Sequence, residues 1–105
     1  MIHAEDRHPR QNLPHDVRQL VERCLRSRAE IDLLLLLFRS PETFWTPHAA
    51  AAVLGCDEDE VRLHLGRLAD AGLVDRGKQT DAFRFAPARP RDREVVARLA
   101  ALYRR

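Results

Sequence analysis

Apolar residues recur at helical spacing along most of the chain and alternate over one short stretch. Val17, Leu20, Val21, Cys24 and Leu25 share one face of a helix predicted over Pro14 to Arg26. Ser27 and Glu30 form an S-x-x-E capping box, so a second helix is predicted from Arg28 to Arg39. That helix buries Ile31, Leu34, Leu35 and Phe38, and Leu33, Leu36 and Leu37 make it apolar almost all round. Such a helix sits at the centre of a core or also faces a partner chain. Ser40-Pro41 ends it. Phe44 and Trp45 then offer a short third strand.

Thr46 is a good N-cap and Pro47 suits a first helical position, which predicts a short helix over His48–Leu54. Its alanines allow close approach of a neighbour, and Gly55 supplies the stop. Asp57 caps a further helix, Glu58 to Ala71, whose Val61, Leu65 and Leu68 face the core. Gly72 ends it. Leu73–Arg76 and Ala82–Phe85 read as two strands joined by a turn over Gly77–Asp81. Pro87 and Pro90 mark a linker, and Asp92 to Arg104 reads as a last helix striped by Val95, Val96, Leu99, Leu102 and Tyr103. The predicted organisation is a flexible terminus over residues 1–13, a domain over 14–86, and a linker with a C-terminal helix over 87–105.

The segment Ala51-Ala52-Val53-Leu54-Gly55, then Val61, Leu65 and Leu68, then Ala71-Gly72-Leu73-Val74, resembles bacterial winged helix-turn-helix transcriptional regulators of the MarR-like and ArsR-like groups. The strand Phe83 to Pro87 falls where such proteins return from the wing, and the likeness spans about residues 28–86. The resemblance implies a mainly α fold, a winged helix with a two- to three-stranded β-wing and additional N- and C-terminal helices. It implies a homodimeric, sequence-specific regulator that binds double-stranded DNA. Residues 58–71 would be the recognition helix in the major groove, and the wing, 76–84, would lie on the backbone.

Charge distribution qualifies that picture. Residues 1–40 carry seven Arg against six acids, 41–75 carry two Arg against seven acids, and 76–105 carry nine Arg or Lys against three acids. These blocks come to +1, −5 and +6, so a nucleic-acid partner is expected to be held by the last third. Asp57-Glu58-Asp59-Glu60 opens the would-be recognition helix, the end that comes nearest DNA. The plain reading of this run is carboxylates favoured by the helix dipole. Arg62, Leu63 and Arg67 are the groove-facing candidates, although Arg62 also sits four residues from Glu58 and suits an intrahelical pair. Arg76, Lys78, Gln79, Thr80 and Arg84 are the phosphate candidates, with Arg89, Arg91 and Arg93 extending the patch. The plain reading of these is a solvated hairpin and linker. The alternative function is a winged-helix protein-interaction module that binds no DNA and docks a partner on the acidic face of residues 58–71.

Apolar surplus on both terminal helices predicts a homodimer through Leu20, Cys24, Val95, Val96, Leu99, Leu102 and Tyr103. Cys24 reads as a core filler and Cys56 as a partly exposed turn residue with room for a redox role. No C-x-x-C or H-x-x-x-H spacing is present, so no metal and no cofactor are expected, and His48 and His64 read as solvated. No Gly-rich phosphate loop, nucleophile elbow or apolar carboxylate pair appears, so no catalytic residues are expected. The densest apolar stretch, Ile31 to Phe38, is far short of the ~18 residues of a membrane span, and residues 1–16 lack a signal-peptide core. A cytoplasmic location with reduced thiols is the expectation.

Overall fold

Capping chemistry sets most of the element boundaries in the computed structural model, which describes residues 14–25, 27–78 and 80–103. Five α-helices and a small antiparallel sheet are present among them. Helix α1 spans His15–Cys24 and α2 spans Arg28–Arg39. The Glu30 amide donates to Ser27 Oγ at 3.3 Å, which starts α2 where the capping box predicts. Helix α3, Pro47–Leu54, opens with the Ala49 amide donating to Thr46 Oγ1 at 3.0 Å. It closes at Gly55, whose φ of 70° is the left-handed conformation that favours glycine. Helix α4, Glu58–Asp70, opens with the Glu60 amide donating to Asp57 Oδ2 at 3.2 Å.

Several boundaries shift by one or two residues from the sequence expectation, and two of the shifts have a visible cause. The first helix ends at Cys24, because Leu25 turns extended (φ −117°, ψ 104°) and buries its side chain. The expected last turn includes Arg26, which lies outside the described residues. The final helix, α5, spans Pro90–Leu102 and so starts two residues early. Pro90, read as a linker marker, instead occupies the first turn, where its fixed φ fits and its missing N–H costs nothing. Arg104 lies outside the described residues.

Strands β1 (Val74–Arg76) and β2 (Phe83–Phe85) pair antiparallel, with Val74 opposite Phe85 and Arg76 opposite Phe83. The expected third strand reduces to a single antiparallel bridge between Trp45 and Phe83. Trp45 donates its amide to the Phe83 carbonyl at 2.6 Å and accepts from the Phe83 amide at 2.8 Å.

Helix α2 is the central element, as its all-round apolarity predicts. It packs against α3, α4, α5 and β2. Leu33, Leu34 and Leu37 are fully buried, and Phe38 meets Phe85 edge-to-face with ring centroids 5.3 Å apart. Helices α1 and α5 pack on each other, joined at the surface by an Arg98–Asp16 ion pair. Val17 and Leu20 from α1 and Val95, Val96 and Leu99 from α5 belong to the same buried cluster as α2. The C-terminal helix is therefore joined to the main core rather than set off from it by a linker. No described helix is long and apolar enough to cross a membrane.

Candidate nucleic-acid interface

Helices α3 and α4 are joined by a turn over residues 55–57 and pack closely, with Ala50 and Ala51 buried. Small side chains at those two positions are what let α4 approach. Val61, Leu65 and Leu68 point α4 into the core. Asp59, Glu60, Arg62, Leu63, Arg67 and Asp70 remain exposed. Leu63 is 54% exposed and Val53 on α3 is 60% exposed, large values for apolar side chains.

The two arginines of α4 are both engaged within the chain. Arg62 bonds to Asp81 in the turn of the β1–β2 hairpin, and its Nη2 donates to Glu58 Oε2 at 3.3 Å. The Asp81 carboxylate, with Glu58 behind it, raises the Arg62 guanidinium pKa further. Glu58 Oε1 also lies 3.2 Å from His48 Nδ1 on α3. Arg67 Nη1 donates to Glu30 Oε2 at 3.3 Å, and His64 Nδ1 lies 2.9 Å from the same oxygen. Glu30 is completely buried. A buried carboxylate is tolerated only with charged or hydrogen-bonded partners, and two residues of α4 supply them here. His64, expected to be solvated, is instead 15% exposed at its side chain and tied to α2.

The hairpin is organised differently. Its turn closes with the Gly77 amide donating to the Ala82 carbonyl at 2.8 Å. A Cβ at Gly77 would fall 2.6 Å from Thr80 Oγ1 and 3.0 Å from Phe44 Cε1, so a side chain there would require both neighbours to shift. The Arg76 guanidinium lies over the Phe83 ring and that of Arg84 over the Phe44 ring, each 5.0 Å from the centroid. From α5, Arg93 lies over Phe85 at 5.3 Å. Stacking on an aromatic face holds a guanidinium without neutralising it. Among the described residues, Arg76, Lys78, Arg84 and Arg93 make no ion pair.

The groove-facing candidates thus separate. Leu63 is exposed as its helical phase predicts, Arg62 bridges α4 to the hairpin, and Arg67 completes a buried polar cluster. The phosphate candidates Arg76, Lys78, Thr80 and Arg84 are all exposed on one hairpin, while Gln79 lies outside the described residues. Of the residues assigned to a dimer contact, Leu20, Val95, Val96 and Leu99 are buried within a single chain. The apolar surplus of α1 and α5 is used by those two helices on each other and on α2. Cys24 is half-buried and accepts from Arg23 Nε at 3.4 Å, Tyr103 is half-buried under Arg28, and Leu102 is 50% exposed. Cys56 is exposed, with its thiol directed at the Leu54 carbonyl.

Contributors outside the sequence-derived candidate set include Glu30, Asp81 and Phe44. Glu30 had a readable signal. It lies four and seven residues before Leu34 and Leu37, on the buried stripe of α2. Asp81 and Phe44 had none, because their partners come from distant parts of the chain. Comparison with protein-family models, with curated proteins and with solved structures found no match for this chain.

Proposed function

We infer that this chain is a DNA-binding regulatory module of winged-helix type, holding the duplex backbone mainly through its β1–β2 hairpin. The observation that carries this reading is the set of exposed cations, Arg76, Lys78 and Arg84, that make no ion pair among the described residues. Such cations exchange only condensed counterions for phosphates, with no internal partner to give up. The helix pair α3–α4 beside the hairpin supports the same reading, as does the resemblance of residues 28–86 to winged-helix regulators. Helix α4 contributes Leu63 to a groove contact. Its arginines are spent on Asp81, Glu58 and Glu30.

The test is a fluorescence-anisotropy titration with a mixed pool of duplex fragments over a salt series. Affinity falls with salt by about 0.9 log units per log unit for each phosphate contacted. Arg76→Ala flattens that slope by about one contact. Absence of binding at low salt overturns the DNA reading.

A second reading is favoured by a separate observation. The exposed surface of α4 pairs Leu63 with Asp59 and Glu60, which make no ion pair among the described residues. That surface suits a basic, apolar protein segment, and a chain that failed to bind DNA would be tested there first.

A further inference from the structure

Among the described residues Phe44 is the one aromatic side chain counted with the exposed large hydrophobics, at 45%. Its surroundings are ordered. The next residue, Trp45, is tied to Phe83 by two backbone hydrogen bonds, so the Phe44 backbone is fixed against the sheet edge. The ring edge reaches the Gly77 backbone, with Cε1 3.0 Å from where a Cβ on that residue would stand. Arg84 lies over it at 5.0 Å, and Arg76 and Lys78 sit on the same hairpin. A half-exposed aromatic ring among cations without ion pairs has a definite chemical complement. It is a nucleotide whose base is out of the stack, with the base face on the ring and the phosphate on a cation.

An intact duplex hides its base faces, so against it the hairpin has only phosphates to contact. A displaced base adds the stacking contact. We propose that Phe44 and Arg84 form a stacking site for an unpaired base, so that the hairpin prefers DNA carrying such a base over intact duplex. This rests on the DNA-binding reading above. Phe44 supplies the base contact, and Arg76 and Lys78 hold the flanking phosphates.

The experiment compares two labelled DNAs at one salt concentration, an intact duplex and the same duplex with a central adenine bulge carrying 2-aminopurine. The bulged DNA is expected to bind roughly 10-fold tighter, the order of one base–aromatic stack, and its 2-aminopurine fluorescence to fall on binding. Phe44→Ala is expected to abolish the preference and the quenching, with a smaller loss on intact duplex because Arg84 loses the ring that orients it. Phe44→Trp keeps an aromatic face and is expected to retain both, which separates stacking from a folding defect. Equal affinity for the two DNAs with an ordinary salt slope overturns the stacking site and leaves the DNA reading standing. So does an equal loss on both DNAs in Phe44→Ala. Failure of both DNAs to bind overturns the two together.

Discussion

Helix α4 and the β1–β2 hairpin each present arginines to solvent, yet the two sets are held by opposite means. On α4, Arg62 and Arg67 are 44% exposed at their side chains and both are ion-paired, one to Asp81 and Glu58, the other to the buried Glu30. On the hairpin, Arg76 and Arg84 are exposed and lie on aromatic rings. A cation paired to carboxylates contributes little field to an approaching phosphate. A cation stacked on a ring keeps its full charge and is only oriented. Exposure alone is thus a poor measure of whether a basic residue is available to a partner, and the counter-charge decides.

The strongest way to break this comparison is through Glu30. If Arg67 and His64 are structural residues, Glu30→Ala is expected to cost about 3 kcal/mol in urea unfolding, the lower end for a broken buried pair. The lower end applies because Arg67 is half-exposed and rehydrates. Glu30→Gln keeps an acceptor and costs less. A loss below about 1 kcal/mol for the alanine variant would mean that α4 is not held by this cluster.

A smaller effect sharpens the same contrast through binding. Arg76→Ala is expected to weaken duplex binding several-fold and to flatten the salt slope. Arg62→Ala should leave both nearly unchanged. Stability should move by about 1 kcal/mol or less in either case, since exposed ion pairs and exposed cation–π contacts are each worth no more than that. Equal losses of affinity from the two variants would erase the distinction between helix and hairpin.

Gly66 offers a gain rather than a loss. It sits inside α4, and a Cβ there would meet nothing within 4 Å. Gly66→Ala is therefore expected to stabilise the fold by about 1 kcal/mol, read as a higher urea midpoint. If the same variant weakens binding to DNA or to a protein, the exposed face of α4 is a contact surface after all.

The smallest effect lies at the other end of the molecule. The Arg98 guanidinium beside Asp16 holds that carboxyl below its ordinary 3.8, with the Val17 amide adding to the effect and partial desolvation opposing it. A carboxyl whose folded-state pKa is depressed stabilises above its unfolded pKa and loses that contribution as pH falls through the folded value. Asp16→Asn is expected to lower the melting temperature slightly near neutral pH and to make no difference well below pH 3.8. A difference that persisted in acid would place the effect in packing rather than charge.

Local chemistry in the sequence was enough to locate the five helices and two strands of the described residues, to within one or two residues at their ends. Ser27, Thr46 and Asp57 each cap a helix through one side-chain oxygen, and Gly55 ends one because few other residues take its φ. The apolar stripe of α4 and the exposure of Leu63 followed from helical phase alone. Only the tertiary structure decided which charges are spent. Glu30 meets His64 and Arg67 across 34 and 37 residues, and Arg62 meets Asp81 across 19. It also decided that α1 and α5 cover each other within one chain, with Asp16 and Arg98 joined across 82 residues. The physical reason is range. Caps and helical phase act within one or two turns of the backbone, where sequence spacing is distance, whereas ion pairing and burial depend on neighbours that spacing does not record.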